Sequence, residues 1–273
     1  MIIPMINEFI KLHGAGNDFI IVDDTEQSHD KTQVNIRFLC DRRCGIGADG
    51  IIFLSLPPVR TGNYDVLMEF YNNDGSRAEM CGNGLRCAAF YANKTMKLAQ
   101  HLKIKTDAGI LETEILNNNS VKIQIPILSV FENLAIDGQN IYYGDTGVPH
   151  AIINIDNIKD TDVNKIGSYY RNHTHFAPRG ANINFIQKDD SDKNLFHIRT
   201  YERGVEAETS ACGTGISAAA FSLYKFCGIQ PPIKFITKEE YLLEVDFSTE
   251  HPVKTLYLTG PVAEVFSGKI IKP

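Results

Sequence analysis

The sequence predicts an α+β protein of two homologous halves, each with a central helix. Three observations support this prediction. Runs rich in β-branched and aromatic residues, bounded by Gly, Asn, Asp or Pro, outnumber the helical patterns. The two strongest helical patterns each begin just after a glycine. A ten-residue motif at residue 81 recurs at residue 212. Many strands with few helices favour an α+β or barrel-like fold over a regular βαβ series.

The strand-like runs extend over most of the chain. They are Phe19–Val22, Ile51–Leu54, Val66–Tyr71, Ile110–Ile115, Val121–Ile125, Ala151–Ile155, Phe196–Tyr201, Tyr241–Phe247 and Thr255–Leu258. The main predicted helices are Gly84–Leu98, which has an apolar stripe, and Gly215–Phe226, which is rich in Ala and Leu. Weaker helical patterns cover Gln33–Cys40 and Thr161–Tyr170.

The repeated motif is the most informative feature of the sequence. Residues 81–90 read CGNGLRCAAF and residues 212–221 read CGTGISAAAF, with identity at six of the ten positions. Before each motif the sequence predicts a strand, a polar turn and a short link containing Ala-Glu. Residues 14–23 and 147–156 form a weaker second pair. The period is far too long for a solenoid, so it indicates two halves related by a pseudo-twofold axis.

We therefore predict two domains. Residues 1–125 form the half that carries Cys81, and residues 126–260 form the half that carries Cys212. Pro126 closes a strand, and the stretch 133–140 is predicted to be a loop at the join. Residues 261–273 are a candidate to return to the first half.

Composition and charge narrow the class of function. The chain has 273 residues, 43% of them hydrophobic, and a formal net charge of −6. No segment is a basic block, so we expect a small-molecule substrate and neither nucleic acid nor membrane as a partner. Met1–Ile10 lacks the pattern of a secretory signal, and no stretch approaches the ~18 apolar residues that span a bilayer. We therefore expect a cytoplasmic protein.

The six cysteines could form disulfides, bind metal, pack in the core or react. A chain of this length in a reducing compartment seldom needs disulfides. Cys40 and Cys44 are four residues apart and Cys81 and Cys87 are six apart, so neither pair has the Cys-x-x-Cys spacing of a zinc site. We predict no metal, and we interpret the four cysteines outside the repeat as structural: Cys40, Cys44, Cys87 and Cys227.

A Cys-Gly-x-Gly motif at a helix start has a specific chemical use. The first N–H groups of a helix lack intrahelical partners, and the helix dipole adds positive charge there. Such an end binds carboxylates and favours a thiolate. Two of these ends could share one substrate carboxylate and place Cys81 and Cys212 on opposite faces of the adjacent carbon. One thiolate would remove the Cα proton and the opposite thiol would return one.

The ordered motifs resemble the diaminopimelate epimerase family along the whole chain. They are KLHGAGNDF (11–19), GIGADG (45–50), NNDGS (72–76), CGNG (81–84), GVPH (147–150), NINF (182–185), YERG (201–204), ET (208–209) and CGTG (212–215). The resemblance implies two similar domains, each a β-barrel-like sheet around a central helix.

The resemblance also implies an isomerase that converts LL- to meso-diaminopimelate, for lysine and peptidoglycan precursors, without pyridoxal phosphate, other cofactor or metal. A cytoplasmic homodimer is implied as well. Cys81 and Cys212 match the family's acid–base pair, and His150 and Glu202 match the groups that assist them. The positions that match substrate contacts are Asn17, Asn72, Gly82, Asn83, Asn182, Glu202, Arg203, Gly213 and Thr214. Arg is the natural bidentate partner for a distal carboxylate.

Two positions depart from the pattern, and other functions stay open. Some family members have Gln where this chain has Gly50 and Asn where it has Val148. The alternatives are another two-cysteine racemase or epimerase acting on proline, hydroxyproline or histidine, a related isomerase without the cysteine pair, a thiol redox enzyme, and an amino-acid-binding protein. Redox chemistry is disfavoured because no Cys-x-x-Cys is present.

Overall fold

The structure is a computed structural model that describes residues 8–27, 29–58, 62–250 and 252–270. The chain forms two compact units. The first runs to Ile123 and resumes at Gly260, and the second comprises Gln124–Thr259. Most of the stretch examined for a secretory signal, residues 1–7, lies outside the described residues, as do residues 271–273.

The first unit contains eight strands and two helices in its continuous part. These elements are β1 (Glu8–Gly14), β2 (Asn17–Asp23), α1 (Gln33–Cys40), β3 (Gly50–Ser55), β4 (Val66–Asn72), β5 (Arg77–Ala78), α2 (Gly82–Lys94), β6 (His101–Thr106), β7 (Gly109–Ile115) and β8 (Ser120–Pro126), with a 3₁₀ helix at Asn117–Asn119. β8 ends three residues inside the second unit.

After one additional strand, the second unit follows the same order of elements. They are β9 (Glu132–Ile136), β10 (Gln139–Asp145), β11 (Pro149–Asn154), α3 (Val163–Arg171), β12 (Asn182–Lys188), β13 (Leu195–Glu202), β14 (Ala207–Thr209), α4 (Gly213–Cys227), β15 (Ile233–Ile236), β16 (Leu242–Asp246) and β17 (Thr255–Lys269), with a 3₁₀ helix at Thr174–Phe176. The first part of β17 pairs with β16, and Val262–Lys269 pairs with β1.

Strand pairing is equivalent in the two units. A hairpin (β1–β2, or β10–β11) is followed by a helical crossover to a parallel strand (β3, or β12). An antiparallel strand (β4, or β13) then leads through a short strand and a second helix to another parallel neighbour (β6, or β15). This equivalence is the structural counterpart of the sequence repeat.

One helix in each unit is enclosed by strands. α2 packs against β1, β2, β3, β4 and β7, and residues 82–92 are all buried. α4 packs against β10, β11, β12, β15 and β16. The small residues at the helix starts allow this close enclosure, because a methyl group on Gly215 would lie 2.2 Å from the Asn184 side chain. The predicted fold class, a barrel-like sheet around a central helix in each unit, is confirmed.

β3 and most of β12 are buried on both faces, because each strand has a central helix on one side and an outer helix on the other. On the outer side of β3, Ile36 and Leu39 of α1 join a core with Ile51 and Phe53. Residues in the first half of each parallel strand lie beside the helix starts: Ile52 of β3 is next to Gly84, and Asn184 of β12 is next to Gly215.

Several predicted boundaries are wrong. α2 and α4 each begin two residues before the predicted start, because the cysteine itself is the N-cap. α2 ends at Lys94, four residues early, and Lys97 has a φ of 59°. The stretch 133–140 is not a loop. It is the β9–β10 hairpin, whose two-residue turn, Asp137-Gly138, has positive φ at both positions, as this turn type requires.

Among the described residues, no helix combines the length and apolar character needed to cross a membrane.

Candidate functional site

The Cys81 half-site, defined as Asn17, Asp49, Cys81, Asn83 and Gly84, lies where α2 begins. Cys81 is the N-cap, with an extended backbone (φ −135°). The Gly84 N–H donates to the Cys81 Sγ at 3.5 Å. Because the N-terminal end of a helix favours negative charge, this position suits a thiolate and an adjacent carboxylate.

A series of side-chain hydrogen bonds fixes the orientation of Asn17. Its Nδ2 donates to the Asp49 Oδ2 at 2.7 Å, and its Oδ1 accepts from the Asn83 Nδ2 at 3.3 Å. The Cys81 Sγ lies 3.7 Å from the same Oδ1. An amide oxygen can only accept, so this contact requires the Cys81 S–H to donate. The surroundings of Cys81 therefore accommodate the thiol form.

The acceptor end of this series is held by ion pairs. Arg42 lies 2.9 Å from Asp49 and makes two hydrogen bonds to Asp18, at 3.0 and 2.8 Å. Lys11 also pairs with Asp18, at 2.9 Å. Burial would raise the pKa of Asp18, but hydrogen bonds from Arg42 and Lys11 outweigh that effect and lower it. The Asp49 carboxylate is thus a fixed anionic acceptor for Asn17.

The sheet register places Asn72 opposite Gly50. The Asn72 Nδ2 donates to the Ser76 Oγ at 3.0 Å in the turn that follows β4. A methyl group on Gly50 would lie 2.6 Å from both the Phe70 ring and the Tyr71 carbonyl oxygen. A glutamine at this position would therefore require the backbone to shift, so the departure at Gly50 has a packing reason in this chain. Val148, the second departure, is half-buried in the turn between β10 and β11.

The Cys212 half-site, defined as His150, Asn184, Cys212 and Thr214, lies where α4 begins. Cys212 is the N-cap of α4 and is 7% exposed. Its Sγ lies 3.5 Å from the Thr214 Oγ1, which lies 3.0 Å from the Nε2 of His150. His150 is the second residue of β11 and is fully buried.

Asn184 determines the tautomer of His150. The Thr200 hydroxyl donates to the Asn184 Oδ1 at 3.0 Å, and the Asn184 Nδ2 donates to the Ala151 carbonyl at 3.2 Å. The same Nδ2 lies 3.2 Å from the His150 Nδ1, so that ring nitrogen must be an acceptor. The proton of a neutral His150 is therefore on Nε2.

Burial, together with the charge of Arg203, lowers the pKa of His150 to about 3. The neutral ring then donates from Nε2 to the Thr214 hydroxyl, which leaves that hydroxyl free to donate its own proton to Cys212. The Thr214 hydroxyl can thus donate to the Cys212 sulfur, and a hydrogen bond in that direction favours a thiolate. This direction is opposite to that of the contact between Cys81 and the Asn17 side chain.

Asn182 and Arg203 lie together at the ends of neighbouring strands. The Asn182 Oδ1 accepts the Arg203 backbone N–H at 2.7 Å, and the Arg203 Nη1 donates to the Arg179 carbonyl at 3.3 Å. Arg203 is half-buried, and its guanidinium forms no ion pair with any described residue. It is therefore available to a carboxylate ligand. Glu202, the last residue of β13, directly precedes it.

The other cysteines divide into two kinds. Cys40 and Cys87 are buried, and burial raises the pKa of both, that of Cys40 to about 12. Cys44 and Cys227 are exposed, so the interpretation of these two as structural core residues is wrong. All six cysteines are free thiols. Within the described ranges, no group of three or more His, Cys, Asp or Glu side chains could hold a metal ion.

Sequence reasoning missed three polar residues that support these half-sites. Asp49 and Asn184 lie inside motifs that were recognised, but their contacts with Asn17 and His150 form only when the strands pair. The third missed residue, Arg86, stands among apolar neighbours in α2 and is fully buried. A charged residue between Leu85 and Cys87, inside the apolar stretch of α2, was the available signal.

A family model and individual relatives of this chain point to the same protein family. The sequence model of the diaminopimelate epimerase family matches residues 9–125 and 142–263. A diaminopimelate epimerase of Aquifex aeolicus is 36% identical over 277 residues, covering 96% of this chain and 97% of that protein. One from Methanocella arvoryzae is also 36% identical and covers 96% of each chain.

Solved structures with similar folds are more distant in sequence. A PhzF-family phenazine biosynthesis protein of Bacillus anthracis has a TM-score of 0.74 at 15% identity, covering 97% of this chain and 99% of its own. A probable proline racemase of Agrobacterium radiobacter has a TM-score of 0.69 at 14% identity, covering 97% and 93%. These similarities show the fold.

Proposed function

Because the chain belongs to the diaminopimelate epimerase family, we propose that it converts LL-2,6-diaminopimelate to the meso isomer with Cys81 and Cys212 as a two-base pair. It is an isomerase of the amino-acid epimerase class. The proposed reaction needs no cofactor or metal, since two thiols and fixed N–H donors supply the chemistry.

One observation carries this proposal. Two cysteines occupy the N-cap of the enclosed helix in two similar units, and the side chains that they contact differ in hydrogen-bonding character. Cys81 contacts an acceptor, and Cys212 contacts a hydroxyl that can donate. A two-base epimerase requires its acid and base to start in opposite protonation states.

The reaction starts with Cys212 as the thiolate and Cys81 as the thiol. The Cys212 thiolate removes the Cα proton, and the Cys81 thiol delivers its proton to the opposite face. Cys212 ends as a thiol and Cys81 as a thiolate, so the proton count is balanced. The reverse reaction starts from the exchanged state. Negative charge that develops on the substrate carboxylate is stabilised by backbone N–H groups of the two helix starts, at Gly82, Asn83, Gly213 and Thr214.

The remaining residues hold the distal amino-acid end. Arg203 is the proposed partner of the distal carboxylate, because its guanidinium forms no ion pair with any described residue. Asn17, Asn72 and Asn182 supply amide groups, and Glu202 the acceptor for an ammonium group. His150 supports Cys212 through Thr214. A cytoplasmic location, a homodimeric state and a role in lysine and peptidoglycan precursor synthesis belong to the same proposal.

The test is to incubate the purified protein with LL-diaminopimelate in deuterated water, under reducing conditions and with a chelator. We expect meso-diaminopimelate that carries deuterium at one Cα. L-proline, trans-4-hydroxy-L-proline and L-histidine serve as parallel substrates. Turnover of one of these in preference to diaminopimelate would replace the proposed substrate, and absence of Cα deuterium in all of them would refute the epimerase function.

A further inference from the structure

Arg86 has an unusual environment for an arginine. It lies in α2, is 0% exposed, and its Nη2 donates to the Asn83 Oδ1 at 2.8 Å. Its Nε and Nη1 are buried and have no hydrogen-bond partner among the described residues. A buried, incompletely paired guanidinium costs stability, and an apolar residue of similar size often serves as well or better. Fold stability therefore does not explain why an arginine is there.

Arg86 fixes the direction of the hydrogen bonds that lead to Cys81. A guanidinium has only donors, so the Asn83 oxygen must face it. The Asn83 Nδ2 then donates to the Asn17 Oδ1 at 3.3 Å, and the Asn17 Nδ2 donates to Asp49 at 2.7 Å. With a donor at one end and a carboxylate at the other, neither amide can rotate without losing a bond.

Two consequences follow at Cys81. The Asn17 oxygen stays turned towards the sulfur, at 3.7 Å, as an acceptor for S–H. The cation of Arg86 lies close enough to interact electrostatically with a charge on Cys81. Cys87 also interacts with Arg86, but burial raises the pKa of Cys87, so that thiol stays neutral. The arrangement thus orients the thiol and stabilises the thiolate left after proton donation.

The second unit has no equivalent of this arginine. By the repeat, Ser217 occupies the position of Arg86, and its hydroxyl donates to the Gly213 carbonyl within α4 at 2.9 Å. Thr214 stands in place of Asn83 and contacts His150 instead. The buried cation is therefore a feature of the Cys81 half-site.

We propose that Arg86 is a positioning residue for Cys81: it locks the Asn83–Asn17 amide pair and places a buried positive charge behind the thiol. The catalytic part of this inference rests on the proposed function. The effect on the Cys81 thiol does not, because it is measured without substrate.

The test compares wild type with Arg86→Met and Arg86→Lys. Iodoacetamide labelling is followed across a pH series, and peptide mass spectrometry separates Cys81 from Cys212. In Arg86→Met we expect the labelling midpoint of Cys81 to rise by about one pH unit, because a neighbouring buried cation is lost. The midpoint of Cys212 should stay where it is in wild type, and Arg86→Lys should restore part of the shift.

An unchanged Cys81 midpoint in Arg86→Met would overturn the proposal. Equal shifts at Cys81 and Cys212 would overturn it too, because they would indicate a general structural disturbance. Urea unfolding should show Arg86→Met to be as stable as wild type. If the protein proves not to epimerise diaminopimelate, the labelling result still decides the role of Arg86. If the protein does epimerise diaminopimelate, its kcat should fall in Arg86→Met and recover partly in Arg86→Lys.

Discussion

The Cys81 and Cys212 half-sites share a backbone arrangement and differ in their polar surroundings. Each cysteine is the N-cap of an enclosed helix that follows a short strand and a Gly-containing turn. Around Cys81 the contacts are two asparagines, a carboxylate and a buried arginine. Around Cys212 they are a threonine, a neutral histidine and an asparagine.

This difference shows how a repeated fold can support two opposite chemical roles. The repeat supplies the same helix end twice, which would give both thiols the same tendency to ionise. The side chains around them then break the equivalence: an amide oxygen, which can only accept, faces Cys81, whereas a hydroxyl that can donate faces Cys212.

The largest effect is expected from removing either thiol. Cys81→Ala and Cys212→Ala should each lower the epimerisation rate by about 10⁴-fold, because each removes the proposed acid or base on one face of the substrate. Measuring meso product by chiral chromatography tests this. Cys44→Ala, at an exposed cysteine, is the matched control and should be fully active. Substantial turnover by either site variant would rule out the two-base assignment.

Arg203→Met should lower kcat/KM for diaminopimelate by roughly 10²–10³-fold, since a charge-assisted bidentate contact is lost. Steady-state kinetics on both stereoisomers measures the effect. Arg179→Met is the control, because Arg179 is an exposed neighbour whose hydrogen bond with Arg203 is made by its backbone carbonyl, which the substitution keeps. Equal losses in the two variants would contradict a specific role for Arg203.

Thr214→Val should slow turnover by about tenfold, whereas Thr214→Ser, which keeps the hydroxyl, should be close to wild type. The lost hydroxyl is the group that joins His150 to Cys212. The rate of iodoacetamide labelling should fall at Cys212 and should not change at Cys81. A Val variant with wild-type labelling at Cys212 would remove Thr214 from the proposed role.

The smallest effect concerns how the free energy of unfolding varies with pH. The pKa of His150 is lowered to about 3 by burial and the charge of Arg203, from about 6.5 in an unfolded chain. Because the unfolded chain binds a proton between these values and the folded protein does not, stability is full above pH 6.5 and declines towards pH 3. This group contributes a slope of about 1.4 kcal/mol per pH unit.

Urea unfolding of His150→Gln at pH 6.5, 5.5 and 4.5 measures that contribution. The variant should lose less stability than wild type over this range, whatever its stability at neutral pH. His197→Gln is the control, since His197 is a partly exposed partner of Asp189. A wild-type slope in His150→Gln would mean that His150 is not a buried neutral group.

The sequence predicted the features that local patterns encode. α1 was predicted with its observed bounds, Gln33–Cys40, and the repeat identified both central helices. Strands such as β6 were missed, although His101–Thr106 alternates strictly between exposed and buried residues, because His and Lys occupy its exposed positions. The β9–β10 hairpin was missed because its strands are short and rich in polar residues.

The cysteines could be selected from the sequence, but their unequal surroundings could not. Asp49 lies 32 residues from Asn17, and Asn184 lies 34 residues from His150, so these contacts depend on strand register. The burial of Arg86 likewise depends on the strands that enclose α2. Helical periodicity alone does not show that a helix is surrounded on every side.

The most direct test of the two-base claim is where deuterium appears early in the reaction. The protein is mixed with LL-diaminopimelate in deuterated water, and both isomers are analysed by mass spectrometry before a few per cent has turned over. If the proton removed by one cysteine differs from the proton delivered by the other, the meso product carries one deuterium and the remaining LL substrate carries none. Product that keeps the original hydrogen at the inverted carbon would show that a single base works on both faces, and would contradict the assignment of Cys81 and Cys212.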